Sequence, residues 1–113
     1  MYKVYGIKNC DTVKKALKKL DSVGIEYDFV DFKKTPPTKE MILRWKDFMG
    51  TWPVNTKGPT YRKIKDEFES ITDAKKIALL IDSSSAIKRP IVEKKGKVLI
   101  AGFDDEVYGK FKK

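Results

Sequence analysis

Residues 2–20 read Tyr2-Lys3-Val4-Tyr5-Gly6-Ile7-Lys8-Asn9-Cys10-Asp11-Thr12-Val13-Lys14-Lys15-Ala16-Leu17-Lys18-Lys19-Leu20. The hydrophobic period changes once along this stretch, and the change falls on a cysteine. Tyr2 to Tyr5 is rich in Tyr and Val, which favour extended chain, and Gly6 predicts its end. Ile7 to Thr12 is turn-like. Val13, Ala16, Leu17 and Leu20 then follow at i, i+3, i+4 and i+7, the spacing of an amphipathic helix. Lys14, Lys15, Lys18 and Lys19 take the other side. Asn9 or Asp11 is expected to cap its start and Gly24 to end it.

Outward from this stretch, Glu26 to Phe32 sets Tyr27, Phe29 and Val30 against Asp28 and Asp31, a second strand. Strand, helix and strand make a βαβ unit, whose right-handed crossover predicts a parallel pair. Pro36-Pro37 stops the chain, and Thr38 can cap a helix over residues 39–49 with Met41, Ile42, Trp45, Phe48 and Met49 on its apolar side. Gly50 ends it, and residues 51–60 read as a loop. A short helix is expected over 61–68. Thr72 can cap another, with Ala74, Ile77, Ala78, Leu80 and Ile81 inside, and Ser83-Ser84-Ser85 loosens its end. Arg89–Glu93 and Lys97–Ala101 read as strands joined by a tight hairpin at Lys94-Lys95-Gly96. A last helix starts near Asp104-Asp105-Glu106 and runs into Lys110, Lys112 and Lys113, acid first and base last, as the helix dipole prefers.

The order βαβ, three helices, ββ, α is, by analogy, a thioredoxin-like α/β sheet with a helical insertion, about residues 38–82, between its halves. At 113 residues one domain over 1–113 is expected. Such a length buries enough surface for a core without metal or disulfide. Aromatic residues at 12%, spread along the chain, argue against disorder. No apolar run approaches the roughly 18 residues of a membrane span, and the N-terminus has no signal-peptide core. The cytosol is the expected compartment.

The formal net charge is +9, with 36% charged residues. Such a surface attracts anions: a small oxyanion, glutathione, an acidic protein surface or nucleic acid. The lysines are scattered over almost every segment, so most are solvated faces, and sequence-specific nucleic-acid recognition is not expected. Trp45 and Trp52 read as packing residues, not as base-stacking platforms. One cysteine excludes an intramolecular disulfide and fits a reducing compartment. The absence of histidine excludes Cys-His and Ser-His pairs and the usual zinc sites, so no metal is expected.

Cys10 sits between a strand end and a helix start. A free thiol with a pKa of about 8.5 is only about 3% thiolate at pH 7. Amides and the dipole at a helix N-terminus favour the anion, and a pKa of about 6 would make about 90% thiolate. Lys8 and Lys14 are candidate local cations. Arg89 is a candidate distant one, because the residue before the Pro of a terminal ββα unit normally lies beside this loop in such folds. Free Cys is often merely a small buried hydrophobe, but the strand-to-helix position favours the reactive reading. Three residues on stands Val13, so there is no Cys-x-x-Cys. Any redox cycle must use an outside thiol, glutathione or a partner protein's cysteine, through a sulfenic acid or mixed disulfide.

Gly6-Ile7-Lys8-Asn9-Cys10-Asp11-Thr12-Val13-Lys14-Lys15-Ala16 resembles the active-site loop and first helix of the arsenate-reductase-like (ArsC/Spx-type) family. The match is to its single-cysteine branch, whose loop reads GIKNCDT. Asn55-Thr56-Lys57-Gly58-Pro59-Thr60-Tyr61-Arg62-Lys63 is similar to the branch's NTRGTTxRK, and Ile87-Lys88-Arg89-Pro90-Ile91-Val92 to its IKRPI strand. Pro36-Pro37-Thr38 and Gly102-Phe103 also resemble family segments, so the likeness runs along nearly the whole chain. The resemblance implies a thiol-dependent reductase with Cys10 as nucleophile and Arg89 holding thiolate and anion. It implies that Pro90 is cis and beside Cys10, and that Lys8, Asn9, Asp11 and Thr12 shape the loop. Lys57 and Arg62 become secondary anion contacts. No bound cofactor is implied; glutathione or another external thiol is the expected co-substrate. Two departures reduce the oxyanion donors. The branch's loop arginine is Lys57, and the arginine of the last strand falls near Ala101-Gly102, where there is none. The family's Spx-type regulators bind RNA polymerase instead of reducing a substrate, which is the alternative role, although their redox switch needs the second cysteine that Val13 replaces.

Overall fold

The computed structural model describes residues 1–112. Its elements are β1 (Tyr2–Gly6), α1 (Asp11–Ser22), β2 (Tyr27–Asp31), α2 (Lys39–Met49), α3 (Pro59–Ser70), α4 (Asp73–Asp82), a 3-10 turn (Ser84–Ala86), β3 (Ile91–Lys94), β4 (Lys97–Ala101) and α5 (Asp105–Gly109). They form a mixed α/β chain of two compact units, one of Met1–Asp31 with Arg89–Lys113 and the other of Phe32–Lys88.

The first unit is a four-stranded sheet in the order β2-β1-β3-β4. β1 pairs parallel with β2, as the βαβ reading requires, and antiparallel with β3, which pairs antiparallel with β4. The central strands β1 and β3 are mostly buried, whereas the edge strands β2 and β4 are half-buried. A central strand is covered by neighbours on both sides and can carry a nearly continuous apolar run. One core gathers Tyr2, Val4, Ala16, Leu20, Ile25, Val92 and Tyr108, with Leu17, Phe29, Leu99 and Phe103 packed against it. Tyr108 anchors the short α5. Its ring lies 5.0 Å from Phe103 and 5.2 Å from Phe111, and its hydroxyl donates to the Gly102 carbonyl at 2.8 Å.

β3 begins at Ile91 and not, as the sequence suggests, at Arg89. Pro90 has no N–H to give to a ladder. Its carbonyl instead accepts from Gly102 N at 2.7 Å, which ties the entry of β3 to the end of β4. The Arg89-Pro90 peptide is cis. The hairpin turns through Lys95 and Gly96, at φ 52° and 77°, between the paired Lys94 and Lys97.

The second unit holds α2, α3, α4 and the 3-10 turn. Thr38 caps α2 and Thr72 caps α4, as expected, and Gly50 closes α2 in the left-handed conformation (φ 72°). The apolar stripes are narrower than the sequence suggests. On α2 only Ile42 and Trp45 are fully buried, and Phe48 is 49% exposed. At 100° per residue Phe48 falls about 90° from the centre of that pair, at the edge of any apolar stripe. On α4, Ala74 falls about 90° and Ala78 about 130° from the centre of the buried Ile77 and Leu80, and both alanines are exposed. α3 starts two residues earlier than expected, because Pro59 is well placed in a first helical turn, where its missing N–H costs nothing. Trp52 packs edge-on against Phe68 at 5.7 Å, with Lys46 Nζ 4.9 Å and Lys76 Nζ 5.6 Å from its ring centre.

Candidate functional site

β1 is buried in the middle of its sheet and delivers the chain to Gly6. Lys8 and Asn9 turn outward and are exposed. Cys10 follows with extended backbone (φ −130°, ψ 127°) as the N-cap of α1, and its carbonyl accepts the first helical bond, from Lys14 N at 2.9 Å. The capping residue is therefore the cysteine itself, not Asn9 or Asp11. A cap position usually holds a side-chain oxygen that accepts from the second or third helical N–H. A neutral thiol is a poor acceptor, and Cys10 makes no ordinary side-chain capping bond. An ionised sulfur is a better match for the same donors.

Several effects set the ionisation of Cys10, which is half-buried. The largest is desolvation, which alone would raise its pKa. The Val13 N–H, the hydrogen bond and positive charge of the Arg89 guanidinium, and the Thr12 N–H all act the other way, and together they hold the thiol below its ordinary value. Each donor stabilises the charged form more than the neutral one. Arg89 itself is half-buried, one residue before Pro90.

The structure thus brings Cys10, Thr12 and Arg89 together. Lys8 and Lys14 do not contribute to the lowered pKa; the Lys14 ammonium lies 3.5 Å from Asn9 Oδ1. Asp11 is the first residue of α1 and is exposed. Pro90 is buried. Around Ala101-Gly102 the backbone is occupied by its own bonds, Gly102 N to Pro90 and Gly102 O to Tyr108, and Gly102 has φ 103°. Lys57 and Arg62 belong to the second unit, where both are exposed. The Lys57 N–H donates to Asn55 Oδ1 at 3.3 Å, and the Arg62 N–H donates to Gly58 O at 3.2 Å in the first turn of α3.

The sequence places Val13 on the apolar face of the first helix and marks it as the position where a second cysteine is lacking, but does not point to its amide as a participant. Its amide is the third of α1, and the signal was the helix start: once Cys10 is the cap, Val13 N–H must face it. Among the described residues no cluster of His, Cys, Asp and Glu could hold a metal ion, and no helix is long and apolar enough to cross a membrane. A cavity of about 410 Å³, lined by Met1, Tyr2, Gly24, Glu26 and Lys94, opens at the opposite end of β1 from Cys10. It shares no group with the thiol.

The pattern of the ArsC family matches residues 5–111. An uncharacterized protein of Haemophilus influenzae is 36% identical over 111 residues, with 96% of each chain covered. Among solved structures, the YFFB protein is 37% identical with a TM-score of 0.82, covering 96% of each chain. A structure described as a possible arsenate reductase from Streptococcus mutans is 31% identical with a TM-score of 0.75, covering 91% of each chain.

Proposed function

The chain belongs to the ArsC family, and from that premise we propose that it is a thiol-dependent reductase of a small anionic substrate, with Cys10 as the nucleophile. The observation that carries this reading is the setting of the Cys10 sulfur, a helix-cap position where two amides and the Arg89 guanidinium favour the anion. A sulfur so placed is ionised at a pH where an ordinary thiol is not, and the thiolate is the reacting form.

The reaction runs through an external thiol, glutathione or a protein cysteine. The Cys10 thiolate attacks the oxidised centre of the substrate anion; a sulfur bond forms to that centre, and one of its oxygens leaves as water after protonation. An external thiolate then attacks the Cys10 sulfur. The bond to the substrate breaks, its electron pair stays with the substrate centre, and that centre is reduced by two electrons. Cys10 is left in a mixed disulfide. A second external thiolate releases it, and the two external thiols depart as a disulfide. Arg89 serves twice, holding the starting thiolate and then the anionic substrate brought to it. Lys8, Asn9, Asp11 and Thr12 shape the loop, and Pro90 fixes the approach of Arg89. With fewer guanidinium groups than the family's arsenate reductases, arsenate itself is a poor candidate substrate. A reducing compartment such as the cytosol suits this chemistry. The alternative, a regulator docked on RNA polymerase, is favoured by no feature of the described residues; polymerase captured equally by wild type and Cys10→Ser would support it.

The test is the pH dependence of Cys10 alkylation by iodoacetamide, with arsenate as competitor, followed by glutathione-supported turnover. The midpoint is expected below the roughly 8.5 of a free thiol. Cys10→Ser should lower turnover about a thousandfold or more. Arg89→Lys, which keeps the charge but loses the planar fork, should raise the midpoint and slow alkylation near neutral pH about tenfold. An ordinary midpoint, together with turnover that survives Cys10→Ser, would end the proposal.

A further inference from the structure

Gly6 ends β1 where α1 begins to pack over it. A Cβ built on Gly6 would stand 2.9 Å from Val13 Cγ2 and 3.7 Å from Phe29 Cε1. The first distance is closer than two carbons tolerate. Gly6 has no left-handed backbone to explain its identity, so the demand is one of space and not of φ. Nor can Val13 easily yield. It is fully buried, and a β-branched side chain in a helix has essentially one allowed χ1. Close-packed interiors transmit such a displacement instead of absorbing it. A methyl group at Gly6 must therefore move the first turn of α1 away from the strand.

That turn carries the Val13 N–H, the third amide of the helix that Cys10 caps, and this amide favours the ionised sulfur. We propose that Gly6 is a positioning residue: its bare Cα lets Val13 seat against the end of β1, and this seat sets the distance from the Val13 amide to the Cys10 sulfur. The inference rests on the reading of Cys10 as a reactive thiolate and adds what holds its donor in place. Gly6 touches no substrate in this scheme and acts through Val13 alone. Hydrogen bonds weaken steeply with distance and misalignment, so a shift of a few tenths of an ångström at the amide is felt at the sulfur.

The experiment compares the pH midpoint of Cys10 alkylation in wild type, Gly6→Ala and Gly6→Ala/Val13→Ala, with thermal melting of each. Gly6→Ala is expected to raise the midpoint by about half a unit, because a donor to the charged form has moved away. The double variant removes the methyl that collides with the new Cβ and leaves every backbone N–H in place, so its midpoint should return towards wild type. Melting separates this from general damage: Val13→Ala opens a cavity, so the double variant need not regain stability while it regains the midpoint. A Gly6→Ala midpoint equal to wild type, whatever its stability, overturns the proposal. So does a double variant whose midpoint stays high or that fails to fold. If the wild-type midpoint is that of an ordinary thiol, the reading of Cys10 fails and takes this inference with it, an outcome recognisable from the wild type alone.

Discussion

At the scale of single residues, the lowered pKa of Cys10 makes a claim about folding as well as reactivity. The unfolded chain holds its thiol proton up to about pH 8.5, whereas the folded chain releases it earlier. Between the two values the unfolded state binds more protons, so stability rises with pH there. The contribution is complete above the unfolded value and is lost as pH falls through the folded one. Cys10→Ser removes it. Urea unfolding of both proteins across pH 5–9.5 should therefore show wild type gaining on Cys10→Ser as pH rises, with the two curves running parallel at the acid end. A constant difference across the range would mean that the sulfur is not preferentially held as an anion.

At the scale of elements, the β3–β4 turn gives a prediction independent of the thiol. Lys95 and Gly96 both have positive φ, the requirement of a two-residue type I′ hairpin. Glycine accepts this freely, but lysine in the left-handed region costs about 1 kcal/mol or more. Lys95 is exposed, so its side chain gives little back. Lys95→Asn should raise unfolding stability by about 0.5–1 kcal/mol, read from the denaturation midpoint. The same hairpin was plain in the sequence, since Lys-Gly between two apolar runs is a turn signal. So were β1, α1 and β2, whose period shifts from 2 to 3.6 and back. Thr38, Gly50 and Thr72 could be read as helix boundaries because each solves a local backbone problem. What could not be read is what depends on long-range packing. The sequence does not say how wide a stripe each helix buries, so Phe48, Ala74 and Ala78 were assigned inward and lie outward. Nor does it say which donors converge on a sulfur. Arg89 was reached through fold analogy and not through spacing, and the role of the Val13 amide appears only once Cys10 is known to be the cap.

At the scale of the molecule, the chain carries a formal charge of +9, and the substrate proposed for Cys10 is an anion. Long-range attraction of this kind speeds encounter and fades as the Debye length shrinks, from about 30 Å at 0.01 M salt to about 3 Å at 1 M. Reaction of Cys10 with a dianionic aromatic disulfide should slow severalfold over that range. Alkylation by neutral iodoacetamide should change little, and an equal salt effect on both reagents would assign the dependence to something other than steering.

The two-part make-up of the first unit also bears on when the sulfur acquires its surroundings. Cys10 sits in the leading segment, Arg89 opens the trailing one, and the entire second unit is encoded between them. A half-synthesised or partly unravelled chain therefore exposes a cysteine that lacks its guanidinium and whose strand has lost the neighbour supplied by β3. The setting proposed for the thiolate is thus complete only when the first and last segments of the chain have come together.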